Sequence, residues 1–384
     1  MITSPDVSRA ARLGLVTNDA ARLAADVNVT SRVALRRAGF NLVRLFGPEH
    51  GIGASAADGA HVADGTHPLT GLPVISLYGQ AQRPAREHLD DLDLVLFDIP
   101  DVGARCYTYI WTLSHVLEAC ADANKPLVVL DRPNPIGGDL GTCEGPMLDE
   151  SKYSTFVGRW NIPIRHGLTA GELAMLWNAE RAIGADLRVI EVQGWARDMH
   201  WPAICLPFVP TSPAMPDYLT ALVYPGTCLF EGTNLSEGRG TDAPFRTIGA
   251  PWVDADGVVA QFNAQARPGV RARAVTFTPA GRKYAGEVCH GVRLEITEPR
   301  AFRPVGTALH LLGIILEGHR DCFSFQPYPT AANESGGGHF DRLIGNASVR
   351  ELLAGGTGRF VRLIVEWTSA PGWEQHVGPR VLYM

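Results

Sequence analysis

Between residues 12 and 134 the chain repeats one beat: a short apolar run, a polar ending, and a helix-like stretch before the next run. The runs are "RLGLVTN", "FNLVRLFGPEH", "LPVISLYG", "LDLVLFDIPD" and "KPLVVLDRPNP". Nearly continuous Val, Leu and Ile in each predicts strands buried on both faces, as in a parallel sheet covered by helices. Helices are expected in "DVNVTSRVALRRAG" and in "TYIWTLSHVLEACADAN". The second carries Ile110, Leu113, Val116, Leu117 and Ala121 at helical spacing and stops at Asn124, before Lys125-Pro126. A later pair, "TAGELAMLWNAERAIGA" then "DLRVIEVQGW", repeats the helix-strand beat. Thr169 and Glu172 there have capping-box spacing, which makes Glu172 structural. The expected fold is α/β: a Rossmann-like, open, mostly parallel sheet over residues 1–245, then a smaller α+β domain over 246–384 that closes the cleft.

Each run ends in groups able to do chemistry. Asn18 follows the first, Glu49 and His50 the second, and Tyr78 ends the third. Asp98, Asp101 and Arg105 lie at or beyond the end of the fourth, and Asp131, Arg132 and Asn134 close the fifth. In open parallel sheets ligands bind beyond those strand ends. A single such Asp is ordinarily a helix cap; carboxylate, imidazole, guanidinium and amide gathered along one sheet edge point to a site. It is not a nucleotide site, because the first strand runs into "LVTNDAARL" without G-x-G-x-x-G, and no P-loop occurs. Neither G-x-S-x-G nor H-E-x-x-H is present. No cofactor and no metal are expected.

A second polar cluster lies in "LVYPGTCLFEGTNLSEGRGTDAPF", with Glu231, Asn234, Ser236, Glu237, Arg239 and Thr241 among glycines. Its aromatic flanks imply that it folds against something rather than standing in solvent. Upstream, "LPFVPTSPAMP" sets rigid backbone around Ser212, and "IPIRHGLTAGELA" puts Arg165 and His166 before a helix.

Composition narrows the classes. With 46% hydrophobic and 19% charged residues, the 384-residue chain is an ordinary globular protein that needs no staples. Net charge is −6 without a basic stripe, so no nucleic-acid partner is expected. Seven scattered cysteines without C-x-x-C spacing fit a reducing compartment. The N-terminus lacks the pattern of a signal peptide, and no apolar stretch approaches the roughly 20 residues that span a bilayer. A cytoplasmic location is expected, and a homodimer is left open.

The motifs "FGPEHGIG", "DVGARCYTYIWT", "VVLDRPNPIGG", "EGPMLD", "IPIRHGLTAGELA", "SPAMP", "YPGTCLFEGTNLSEGRGTDAPF" and "IGAPW" occur in that order, with "GHFDRLIGN" and a closing "VLYM". Together they resemble the NamZ-type exo-β-N-acetylmuramidases, first catalogued as a domain of unknown function, over essentially the whole chain. The resemblance implies a Rossmann-like domain, a smaller second domain and a cleft between them. It implies hydrolysis of terminal, non-reducing β-1,4-linked N-acetylmuramic acid from peptidoglycan fragments, so the partner is a peptidoglycan-derived sugar or muropeptide.

That reaction needs a proton donor and a second group that supports the oxocarbenium-like centre or activates water. Glu49 is the expected general acid, with His50 orienting it or bonding the sugar; the second group is Glu231, then Glu144 or Asp101. In a substrate-assisted path the sugar's acetamido group attacks and the second carboxylate only orients. The lactyl carboxylate calls for a guanidinium, from Arg105, Arg132, Arg165 or Arg239. Tyr107, Asp131, Asn134, His166, Ser212, Asn234 and Glu237 complete the expected substrate contacts. Of Tyr107 and Tyr109, one is expected to stack on the sugar and the other to pack inside.

This chain departs from the family pattern at Pro100, where Gln is usual, at Ala214, where Asn is usual, and at Cys106. Two alternatives follow: a muropeptide-binding protein without turnover, and a metal-dependent amidase or ether hydrolase. In the last third, "RARAVTFTPAGRKYAGEVCHGVRLEIT" predicts two strands joined by a turn at Ala280-Gly281, and "VGTALHLLGIILEGH" a buried helix. "ESGGGHFDRLIGN", with His339, Asp341 and Arg342, is expected to close over the cleft or to be a plain interdomain turn.

Overall fold

A computed structural model describes residues 7–354, 364 and 368–384. The expectations for residues 1–6, 355–363 and 365–367 lie outside the described residues. The apolar runs become β1 (Leu13–Thr17), β2 (Leu42–Gly47), β4 (Pro73–Ser76), β5 (Leu94–Asp98) and β6 (Leu127–Leu130), with β3 (Gly65–Thr66) and β7 (Leu187–Ile190) at the edges. The sheet order is β3-β4-β2-β1-β5-β6-β7, and only β3 runs antiparallel to its neighbour. Without β3, this is the strand order of the doubly wound dinucleotide fold. Central β1 and β5 are buried at every residue, whereas β3 is exposed. Leu13 and Leu15 feed one apolar cluster and Val16 the other, so both sheet faces are covered.

The helices of this part are α1 (Ser31–Arg37), α2 (Tyr109–Asp122), α3 (Glu150–Tyr153), α4 (Ala170–Glu180), α5 (Trp201–Ile204) and α6 (Tyr218–Thr227). Trp111 of α2 stacks on Trp177 of α4 at 5.2 Å, and Trp160 meets Trp177 edge-on at 5.1 Å. The capping box at the start of α4 forms as expected: Thr169 Oγ1 accepts from Glu172 N, and Glu172 Oε2 accepts from Thr169 N.

The second part holds β8 (Thr247–Ala250), β9 (Val270–Phe277) and β10 (Cys289–Ile296) in an antiparallel sheet ordered β8-β10-β9. The predicted hairpin is β9–β10, although its connection, residues 278–288, is longer than a tight turn. Around it lie α7 (Ala255–Ala264), α8 (Pro304–Gly318), α9 (His339–Ile344) and α10 (Ser348–Ala354). α6 packs on α8 through Gly226, where a Cβ would lie 2.0 Å from the Pro304 carbonyl oxygen. One hydrophobic cluster runs from Phe97 and Val129 in the large sheet to Ile248 and Val292 in the small one. The chain end returns to the first sheet, where the Tyr383 hydroxyl donates to Asp131 at 2.6 Å. Among the described residues no helix is long and apolar enough to cross a membrane.

Candidate active site

Two concave regions lie beyond the strand ends of the large sheet, and they differ in kind. The wider is a groove of about 710 Å³ outside β1, β5 and β6, lined by Leu35, Asp98, Pro100, Asp131, Arg132, Trp195 and Phe208 among others. The tighter lies where the turn after β2 meets the second part of the chain. It is two adjoining spaces of about 50 and 30 Å³, both lined by Glu49, Asp58, Cys106, Thr108 and Tyr224.

The turn that carries Glu49 is built by backbone geometry. Gly47-Pro48 ends β2, Gly51 N donates back to the Pro48 carbonyl at 2.9 Å, and His50 itself takes a left-handed φ of 66°. Such a conformation costs on the order of 1 kcal/mol or more in a non-glycine residue and persists where surroundings enforce it. His50 is fixed by its Nδ1, which donates to the Ala56 carbonyl at 2.8 Å; a carbonyl can only accept, so the proton sits on Nδ1. Glu49 is 6% exposed. Its Oε1 accepts from Gly59 N at 3.1 Å and its Oε2 pairs with Thr108 Oγ1 at 2.7 Å. Burial, then the Glu49 charge, raises the pKa of the Tyr78 hydroxyl that faces it.

Opposite lies a compact charge network. Arg239 meets Glu231 at 2.6 Å, Glu237 at 3.0 Å and Asp58 at 3.2 Å, with its guanidinium over the Phe245 ring. Lys283 adds a bond to Glu237 at 3.1 Å. His339 Nε2 lies 3.3 Å from Glu231 Oε2 and stacks on Tyr328, whose hydroxyl donates to Asp58 at 2.6 Å. Burial alone would raise the Asp58 carboxyl, but Arg239, the Tyr328 hydroxyl, Arg282 and His50 outweigh it and hold it below the usual carboxylate range. Burial likewise works against the Glu237 charge, and Lys283 and Arg239 overcome it. Gly232 lets Glu231 approach α9, since a Cβ there would sit 2.5 Å from Phe340 N.

Glu49, His50 and Asp58 place one ligand atom each within 4.8 Å of one another, a trio of the type that can hold a metal ion. The expectation of no metal meets this counterargument, and the local charge weighs on it. Asp58 is already bound by Arg239, Arg282 and Tyr328, and those guanidinium groups oppose a second cation there.

Of the residues singled out from the sequence, Glu49, His50, Glu231, Tyr107, Ser212 and Arg239 line the tight cavity, and Glu237 backs it through Arg239. Tyr107 borders the cavity and bonds Thr211 Oγ1 at 2.6 Å, while Tyr109 packs inside, donating to the Thr211 carbonyl. Ala214 and Cys106 also line it, whereas Pro100 lines the wide groove.

The others serve elsewhere. Arg105 is fully buried and gives its guanidinium to the carbonyls of Pro146, Ile162, Leu343 and Ile344. Arg165, equally buried, donates to Ile136 O and bridges to the Glu144 strand segment. Glu144 accepts from Val305 N and Gly306 N at the start of α8, where burial pushes its carboxyl up to about 7. Arg132 is bound to Asp98 at 2.6 Å in the groove wall. Asp101 accepts from Gly103 N and faces His166, itself fully buried, at 3.6 Å. Asn134 donates to Leu168 O, and Asn234 joins the Cys322 and Ser324 backbones. Asp131 takes four donors, from Thr169, Tyr383, Gly171 and Arg132, and burial raises its carboxyl to about 6. These side chains tie loops together, and the second-carboxylate candidates Glu144 and Asp101 and the arginine candidates Arg105, Arg132 and Arg165 all lie outside the lining of the tight cavity.

Tyr78, a strand-end residue, lines the cavity, which also uses residues that the sequence did not single out for the site: Asp58, Thr108, Tyr224 and Tyr328, with Lys283 behind them on Glu237. Asp58 sits in "SAADGAH", which reads as an ordinary polar loop; only its distant partners in the second part give it a role.

Carboxylates gathered in a small cavity on a dinucleotide-type sheet that lacks the dinucleotide loop suit acid–base chemistry rather than nucleotide binding. Comparison with known proteins gives it a family. Residues 13–219 match the N-terminal model, and residues 222–369 the C-terminal model, of "Exo-beta-N-acetylmuramidase NamZ". The chain is 41% identical over 346 residues to the peptidoglycan beta-N-acetylmuramidase NamZ of Bacillus subtilis (strain 168), covering 90% of this chain and 80% of the relative. Two crystal structures of DUF1343 family proteins from Bacteroides fragilis NCTC 9343 share the fold, with TM-scores of 0.85 and 0.72 at 29% and 27% identity. Each alignment covers 98% of this chain and 95% of that structure. The chain belongs to the NamZ exo-β-N-acetylmuramidase family.

Proposed function

We propose that the chain is an exo-acting glycoside hydrolase that releases terminal, non-reducing β-1,4-linked N-acetylmuramic acid from peptidoglycan fragments, with the tight cavity as its active site. The observation that carries the assignment to this cavity is Glu49, buried in a strained turn with a donor on each carboxyl oxygen and a second carboxylate, Asp58, within 4.8 Å.

In this reading Glu49 protonates the leaving oxygen and recovers the proton from water. Thr108 suits that cycle, because a hydroxyl can donate to the ionised carboxyl and accept from the protonated one. Asp58, held ionised by its arginines, supplies negative charge to the oxocarbenium-like centre, and Glu231 supports it across Arg239. His50 fixes the turn through Ala56. A cavity of about 50 Å³ admits a few waters and not a sugar, so substrate entry requires the cavity wall to rearrange. All seven cysteines are free, which supports a reducing, cytoplasmic setting.

The test is release of N-acetylmuramic acid from a β-1,4-linked muramyl disaccharide, whose sugar leaving group needs a proton, by wild type and by Glu49→Gln. Turnover by wild type and a fall of about 10²–10⁴-fold in the variant are expected. Binding of the sugar without release by wild type would replace the hydrolase reading with that of a sensor.

A further inference from the structure

N-Acetylmuramic acid differs from its neutral counterpart N-acetylglucosamine by a lactyl ether that carries a carboxylate, and the cavity already holds Glu49, Asp58 and Glu231. An anionic substrate entering a space lined by three carboxylates needs a cation that is not already spent. Arg239 is spent, since it faces Glu231, Glu237 and Asp58 together. Arg282 is engaged by Asp58 and stacks on Tyr328.

Arg342 is different. It lies on α9 one turn beyond His339, so the two side chains share a helix face, and it lines the same cavity. Among the described residues its side chain has no hydrogen bond, ion pair or ring contact, unlike Arg350 on the next helix, which pairs with Asp341. A second unmatched donor lines the same cavity: Asn333 Nδ2 is buried and has no partner, while its Oδ1 accepts from Ser335 Oγ. Asn333 and Arg342 flank the glycine-rich stretch that leads into α9.

We propose that Arg342, assisted by the Asn333 amide, binds the lactyl carboxylate and so sets the preference for a muramic over a glucosamine sugar; this rests on the muramidase reading above. The guanidinium fork matches a carboxylate with two parallel bonds, which an ammonium cannot reproduce. The assignment moves lactyl recognition from the four arginines expected in the sequence to one in the loop-and-helix segment over the cavity.

Calorimetric titration of wild type, Arg342→Gln and Arg342→Lys with N-acetylmuramic acid and with N-acetylglucosamine tests it without needing turnover. Arg342→Gln is expected to weaken the muramic sugar by about 10- to 100-fold, the range for a charge-assisted pair, and to leave the glucosamine sugar within about twofold. Arg342→Lys should recover part of the difference. Equal weakening of both sugars would make Arg342 structural and overturn the proposal, as would no weakening of either, or a wild type that binds neither sugar. Wild type that discriminates through Arg342 but releases nothing from a chromogenic muraminide leaves the recognition standing and removes the hydrolase.

Discussion

The wide groove and the tight cavity sit on the same sheet, and by volume the groove wins severalfold, about 710 Å³ against spaces of about 50 and 30 Å³. By chemistry it loses. In the groove Asp98 is neutralised by Arg132, and Asp131 is saturated by four donors that hold α4, Arg132 and the chain end in place. In the cavity, carboxylates from the large-sheet part face arginines, a histidine and a tyrosine from later in the chain, and Arg342 is left unmatched. Size reports how loosely a region packs. Convergence of groups from distant parts of the chain, at a cost in backbone strain and desolvation, reports where chemistry is done.

The largest expected effect falls on the cavity. Glu49→Gln keeps the shape, removes the titrating group and lowers muraminide turnover by about 10²–10⁴-fold. An equal loss from Phe208→Ala, in the groove wall, would reverse the assignment.

Arg239→Ala comes next, and it should act on stability as much as on rate. It leaves Asp58, Glu231 and Glu237 facing one another with Lys283 and Arg282 as the remaining counter-ions. Breaking a buried ion pair from one side costs about 3–5 kcal/mol, so a clear drop in the denaturant midpoint should accompany loss of activity. Arg239→Lys should recover only part, because one ammonium cannot serve three carboxylates with a fork's geometry.

Much of the fold was legible because it depends on local pattern. Fully buried β1 and β5 appear as unbroken apolar runs, and Thr169-Glu172 announces its own capping box. The site was only half legible. Glu49 and His50 stand out because Gly47-Pro48 and Gly51 bracket them, and Glu231 and Arg239 because their glycine-rich surroundings are unusual. Asp58 and Tyr328 carry no such local mark; they meet across 270 positions of chain. The same logic explains the arginines that lie away from the cavity. Arg105 and Arg165 look like binding residues from their motifs, but a fully buried guanidinium collecting backbone carbonyls fixes loops with the same donors that would bind a ligand.

The groove can be shown to serve stability through pH. Burial raises the Asp131 carboxyl from 3.8 to about 6, so the folded state holds its proton more tightly than the unfolded chain. The stability this gives is fully present below about pH 4 and is lost as pH rises through about 6, to the extent of about 3 kcal/mol for a shift of this size. Asp131→Asn removes the titration and keeps the shape, and the Thr169 and Tyr383 hydroxyls can turn to accept from its amide. The variant's unfolding midpoint should therefore fall less than that of wild type between pH 4 and 7, while muraminide turnover at a fixed pH stays within about threefold.

The smallest expected effect is that of a chelator. Glu49, His50 and Asp58 are close enough to hold a cation, but Asp58 already answers Arg239 and Arg282. Treatment with EDTA, followed by assay in metal-free buffer, should leave turnover unchanged. A loss restored by one added divalent metal would instead make the trio a metal centre. Asp58 would then have to release at least one arginine to bind the ion, and Asp58→Asn would lose metal binding together with activity. If activity survives the chelator, the same Asp58→Asn variant should lose turnover through weaker stabilisation of the oxocarbenium-like centre, with Glu49 still able to protonate the leaving oxygen. The two readings therefore separate on one variant: a substrate with a leaving group that needs no proton leaves its defect intact in the second case, while added metal repairs nothing.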